Sequence, residues 1–162
     1  MIGILSDTHD NLDAIKKAVN FFNRQNVSVV LHAGDYVAPF TAKEFKNLNS
    51  KLIGVFGNND GDRVHLAEVY KKIGCELKDF HELEQNGKFI ALYHGTDDEI
   101  SKALIKYNKY DIIILGHSHK AEIKAEKKKL IINPGETCGY LTGNKTVALL
   151  DTKNLKAKIF HL

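Results

Sequence analysis

"MIGILSDTHDNLDAIKKAVNFFNRQNVSVVLHAGD", residues 1–35, decides the fold class. Its opening run IGIL is short and continuously apolar, as in a strand buried on both faces. From Leu12 the period changes, and Leu12, Ile15, Ala18, Val19 and Phe22 recur every three or four positions on one helical face. Asp10 or Asn11, followed by Asp13, supplies the helix entry signal. VSVVLHAGD, 27–35, then reads as a second buried strand. Strand, helix and strand in succession imply a parallel sheet covered by helices.

The rhythm continues outward. APFTAKEFKNLNS at 38–50 is expected to be a helix and KLIGVFGNND at 51–60 a strand. RVHLAEVYKKIG comes next as a helix, with Asp62 as N-cap and Gly74 as stop. Residues 76–94 read as two strands around Asn86-Gly87, a strong hairpin signal. Residues 97–110 form a helix and DIIILG, 111–116, another buried strand. From 121 onward AEIKAE, KLIINPG, KTVALLD and LKAKIFHL read as antiparallel strands. The expected body is an α/β two-sheet sandwich with helices outside, one domain over residues 1–162, without linker or repeat.

Composition bounds the function. With 162 residues, 43% of them hydrophobic, the chain suits one globular core. No apolar stretch approaches the ~20 residues of a membrane helix, and MIGILSD lacks the basic lead of a signal peptide, so a cytoplasmic protein with no membrane partner is expected. Cys75 and Cys138 lack ligand or disulfide spacing and read as small buried hydrophobes. The net charge of +3 rests on lysine, because Arg24 and Arg63 are the only arginines. The basic run KAEIKAEKKK alternates charged and apolar residues like a solvated strand, so there is no strong nucleic-acid signature. A homo-oligomer paired through exposed strands or helices is compatible with this sequence.

The chemistry lies where apolar strands stop. Asp7 and His9 follow the first, Asp35 the second, Asn58 the third, His94 the hairpin strand, and His117 and His119 the run DIIILG. Carboxyl ends of parallel strands border the binding crevice of an open α/β sheet, so seven residues distant in sequence converge. Each alone has an ordinary reading as a cap, a turn or a surface histidine. Five coincidences at successive strand ends, including one D-x-H and one H-x-H pair, do not. Two carboxylates, one amide and four imidazoles without thiolate suit divalent ions of intermediate hardness, and seven ligands exceed one ion's need. A two-metal site, with ions about 3.5–4 Å apart, is expected. His65, His81 and His161 read as structural or solvent-facing, whereas His32, three residues before Asp35, is a candidate for orienting a ligand.

The order D-x-H, G-D, G-N-x-D, H, G-H-x-H resembles the calcineurin-like metallophosphoesterases, and the length and INPG at 132–135 resemble their small phosphodiesterase branch. The resemblance implies a four-layer αββα sandwich with a dinuclear centre at the C-terminal ends of the strands. In it Asp7, His9 and His119 hold one ion, Asn58, His94 and His117 the other, and Asp35 bridges them. Manganese suits the mixed imidazole and carboxylate set, with iron, nickel, cobalt or zinc as alternatives. The implied reaction is attack of a metal-bridging hydroxide on the phosphorus of a small-molecule or nucleotide phosphodiester.

One departure from the family pattern matters, and two others are smaller. Many members carry a histidine after the Asn ligand that protonates the leaving group; here it is Asn59, which donates a hydrogen bond but delivers no proton. Slower turnover and a preference for acidic leaving groups are the expected results. Asp60, which would orient that histidine, is then a catalytic candidate or a turn cap. Asp10 stands where a small residue is common and Glu136 where a serine is, the latter expected near the mouth, adding negative charge there. Asn11 is a further orienting candidate and Arg63 a substrate-binding one. Two divalent ions, less two carboxylates and a hydroxide, leave about +1, which matches a diester better than a monoester. The alternatives are a phosphomonoesterase, a scaffold of the kind found in a retromer subunit, and a DNA nuclease, the last disfavoured by the weak basic signature.

Overall fold

The computed structural model describes residues 1–162. Eleven strands form two sheets, and the strands that begin the chain belong to the first. β1 (Ile2–Leu5), β2 (Val29–His32), β3 (Lys51–Val55) and β4 (Leu77–Lys78) are parallel neighbours, and β10 (Thr146–Asp151) and β11 (Lys156–His161) add antiparallel strands on the β1 edge. In the second sheet β6 (Lys88–Tyr93), β7 (Ile112–Ile114) and β9 (Lys129–Pro134) are parallel, edged by antiparallel β5 (Phe80–Gln85) and β8 (Ala121–Glu126). The chain after 121 is therefore not antiparallel throughout: β9 pairs parallel with β7, Ile114 opposite Ile132, because β8 takes the edge and leaves β9 inside.

Alternation explains the layers. Ile2, Ile4, Leu31, Val55, Ala148 and Leu150 of one sheet meet Ile90, Leu92, Ile112, Ile114, Leu130 and Ile132 of the other in a dry inner core. The opposite face of the first sheet carries Leu5, Val30, Leu52, Val147 and Leu149, covered by helices α1 (Leu12–Arg24), α2 (Ala42–Phe45) and α3 (Arg63–Lys71). α4 (Asp98–Lys106) covers the second sheet, where Leu104 packs on Ala91, Tyr110 and Ile113. This is the αββα sandwich that the family resemblance implies. At Gly3 an added Cβ would stand 2.6 Å from the Phe22 ring, so the glycine lets α1 lie close on β1.

Asn11 is the N-cap of α1, accepting from Ala14 N, and Asp62 caps α3 by accepting from His65 N. The helix expected over 38–50 shrinks to a 3-10 turn at Pro39–Thr41 and the single turn of α2. Asn23 captures the chain beyond α2: its amide donates to the Asn47 carbonyl and accepts from Asn49 N, which diverts this backbone from helical pairing. No helix is long and apolar enough to cross a membrane.

Candidate metal centre

The loops that leave the strand ends are stitched to each other. Asp7 N donates to Gly34 O, Thr8 N and His9 N to Asp35 O, Gly116 N to His94 O, and Cys138 N to Asp7 O. These bonds bring residues of both sheets to one place. His9 Nε2 lies 3.5 Å from Asp35 Oδ2 and 3.9 Å from Asp7 Oδ1; His119 Nε2 is 3.4 Å from Asp7 Oδ1. His94 Nε2 is 3.4 Å from Asp35 Oδ2 and 3.0 Å from Asn58 Oδ1, and the His94 and His117 rings meet edge-on at 5.2 Å. All seven sequence candidates thus lie in one cluster, with Asp7, Asp35 and His94 buried and Asn58 and His117 exposed.

The backbone is bent to achieve this. Asp7, His9, Asp35, His117 and His119 all adopt left-handed φ between 39° and 65°. Non-glycine residues there cost of order 1–3 kcal/mol each, and such strain gathers at functional sites. Glycines make room alongside: a Cβ on Gly57 would stand 2.1 Å from Asp35 Oδ1, and one on Gly116 would stand 3.0 Å from Asp7 Oδ2.

Hydrogen-bond polarity shows what the cluster lacks. His94 Nδ1 donates to the Ala33 carbonyl at 2.6 Å, so neutral His94 turns an Nε2 lone pair towards Asn58 Oδ1 and Asp35 Oδ2. His119 Nδ1 faces the Glu136 carboxylate at 2.9 Å, an acceptor, so its Nε2 is likewise bare towards Asp7. Asp7 Oδ1 and His9 Nε2 are buried with no hydrogen-bond partner. Acceptors therefore face acceptors across the centre, an arrangement that a cation relieves. Asp7 foremost raises the pKa of His9 against the effect of burial. Burial opposes the charging of His94, but Asp35 outweighs it and raises that pKa too. Burial also works against ionisation of Asp35, yet His94 and Asn59 hold its carboxyl well below the usual carboxylate range. Donor types and orphaned atoms fit divalent ions.

The neighbouring candidates have definite partners. Asn59 donates to both Asp35 oxygens, from N at 2.8 Å and from Nδ2 at 2.7 Å, rather than standing free for a leaving group. Asp60 is buried and accepts from the backbone N–H groups of Asp35, Tyr36, Val37 and Gly57, a clamp on the Asp35 loop. The Arg63 guanidinium goes to Asp79 and the Gly57 carbonyl and lies over Phe56, holding the Gly57 turn. Asn11 donates to Cys138 O and accepts from Ala14 N, so its hydrogen bonds go to backbone and not to a ligand side chain. His32 is kept neutral by burial, its pKa falling well below the ordinary value. It accepts from Gly34 N and bonds Thr8 Oγ1, which donates to Asp35 O, so it acts on the Asp35 loop through Thr8. Asp10 accepts from Ala38 N.

Glu136 is not at the mouth. It is fully buried, bonded to His119, Leu141 and Thr142. Burial favours its neutral form, but the Thr142 amide, His119 and the other donors bring its pKa down to about 2. The signal for it lies in INPGE, a polar residue just beyond an apolar strand. An antiparallel β9 would end away from the site; the parallel strand delivers Glu136 to it.

The chain matches the calcineurin-like phosphoesterase superfamily domain over residues 1–155. It is 45% identical over 154 residues to a protein of Methanocaldococcus jannaschii named as a phosphodiesterase, spanning 94% of this chain and 93% of that one. The solved structure of an archaeal phosphodiesterase superposes with a TM-score of 0.95 at 42% identity, covering 99% of each chain. Vacuolar protein sorting 29 of Cryptosporidium parvum shares the fold at a TM-score of 0.68 and 16% identity, over 99% and 95% of the two chains. A sandwich of this topology, carrying this cluster at its strand ends, thus has a family as well as a shape: the chain belongs to the calcineurin-like phosphoesterase superfamily.

Proposed function

We propose that residues 1–162 form one metal-dependent phosphodiesterase domain acting on a small-molecule or nucleotide diester. The observation that carries this reading is the clustering of Asp7, Asp35, Asn58 Oδ1 and the Nε2 atoms of neutral His94 and His119 with no donor among them, while Asn59 and the His117 amide donate to the two carboxylates. Asp7, His9 and His119 would hold one divalent ion and Asn58, His94 and His117 a second, with Asp35 shared by the two. Manganese is the ion proposed, since carboxylate, amide and imidazole donors suit it. When bound, two such ions supply Lewis acidity to phosphoryl oxygens and lower the pKa of water between them.

The chain's own part is positioning. Asn59 and Asp60 hold the side chain and the loop of Asp35, and the Ala33 carbonyl holds the His94 tautomer. Asn59 is engaged with both Asp35 oxygens and, as an amide, has no proton to deliver to a leaving oxygen. The site therefore favours alcohols that depart as anions. Arg63, already shared between Asp79 and Gly57 O, adds little for the second charge of a monoester. The name of the 45% identical relative supports the diester as well.

The test is a chelator-stripped protein assayed on bis(p-nitrophenyl) phosphate and p-nitrophenyl phosphate, with Mn²⁺, Fe²⁺, Co²⁺, Ni²⁺ or Zn²⁺ added back singly. Diester hydrolysis should vanish on stripping, return best with Mn²⁺ and exceed monoester hydrolysis. Undiminished hydrolysis after stripping would refute the proposal.

A further inference from the structure

Glu136 comes after β9 at the glycine turn of INPGE and is 0% exposed. Its only ion-pair partner is His119, so no lysine or arginine accounts for this buried carboxylate. Its Oε2 faces His119 Nδ1 at 2.9 Å and accepts from Cys138 Sγ at 3.3 Å; its Oε1 accepts from Leu141 N at 3.0 Å and from the amide and hydroxyl of Thr142. His119, Glu136 and Cys138 are close enough to be read as a separate thiolate metal site. The bonding opposes that reading, because both carboxylate oxygens are already filled by N–H and O–H donors and Cys138 keeps its proton to donate.

We infer that Glu136 is the positioning residue of the metal centre: it locks His119 as the Nδ1–H tautomer, and so presents the Nε2 lone pair beside Asp7. This rests on the two-ion proposal and adds a site preference to it. A ligand imidazole whose second nitrogen is fixed by a carboxylate is oriented and made more basic, and losing such a partner typically weakens metal binding by about 10–100-fold. Only the ion held by Asp7, His9 and His119 depends on Glu136. The ion of Asn58, His94 and His117 relies on the Ala33 carbonyl instead.

Glu136→Gln separates the roles. The Oε1 side faces the amides of Leu141 and Thr142 and the Thr142 hydroxyl, so the glutamine oxygen turns there and its NH₂ turns to His119. Nδ1 must then accept, and the proton moves to Nε2, the atom that should ligate.

The experiment reads tautomers by ¹⁵N–¹H NMR of the histidine rings in the metal-free full chain, at a pH where the ring ¹⁵N shifts themselves report the neutral imidazole. Mn²⁺ binding is then measured by calorimetry. The parent should show His119 as Nδ1–H and bind two ions. E136Q should show Nε2–H and bind one ion as the parent does, the other about 10–100-fold more weakly. A parent in the Nε2–H form, measurable without any variant, overturns the inference, as does an E136Q protein that binds both ions like the parent. A parent that binds no Mn²⁺ refutes the two-ion reading itself and the inference with it, a result distinct from the other two.

Discussion

Asp60→Asn changes one buried atom from oxygen to nitrogen and tests what holds the Asp35 loop. In the parent, Asp60 Oδ1 accepts from Tyr36 N and Val37 N, both at 2.8 Å, and Oδ2 accepts from Gly57 N at 2.7 Å and Asp35 N at 3.2 Å. An amide keeps one oxygen, so whichever way it turns, two backbone N–H groups lose an acceptor and face a second donor. A buried donor left unpaired costs about 1–3 kcal/mol, which puts the loss at about 2–6 kcal/mol. At about 2–4 °C per kcal/mol for a chain of this length, even the low end lowers Tm by about 4 °C. Val37, β-branched at φ 79°, and Asp35, at φ 62°, sit in the loop so released, and its relaxation removes Asp35 from His94. Urea unfolding of the metal-stripped variant isolates this term from ligand binding. Stability within about 0.5 kcal/mol of the parent, the range of an ordinary surface change, would refute the clamp.

Gly57→Ala places a Cβ 2.1 Å from Asp35 Oδ1, and the displaced carboxylate should cost about 100-fold in metal-dependent diester hydrolysis while circular dichroism stays native; parental kcat/KM would contradict this. Asn59→His supplies a proton donor and should raise the hydrolysis of an alkyl phosphodiester, by up to about 100-fold, more than that of a nitrophenyl one; equal changes on both would sink the leaving-group argument. Burial pushes the thiols of Cys75 and Cys138 up to about 12, so a disulfide reagent at pH 8 should label neither in the folded chain and both in urea, and rapid native labelling would show the burial to be wrong.

What the sequence made legible is the part governed by local periodicity. Ile15, Ala18, Val19 and Phe22 predict the buried face of α1, and the ends of IGIL, VVLH and DIIILG point to Asp7, Asp35, His117 and His119, because buried strands have few places to put polar side chains. What it left open depends on pairing partners. The register of KLIINP against β7 or against β8 alone decides whether Glu136 joins the centre, and both neighbours accept an apolar strand. The jobs of Asn59, Asp60 and Arg63 are a matter of hydrogen-bond direction, much of it towards residues 16 to 25 positions away, which no spacing rule encodes. Backbone strain is equally hidden. Nothing in D-T-H or G-H-S-H announces a left-handed φ at Asp7, His9, His117 and His119, since it is uncommon in any non-glycine residue even though aspartate and histidine tolerate it better than most. The insistence comes from the bonds between loops, Asp7 N to Gly34 O and His9 N to Asp35 O, and from the neutral relay of His32 and Thr8 beneath them. The fold thus holds like charges and lone pairs together against their repulsion before any cation arrives, and a site prepared in this way loses little further backbone entropy on binding one.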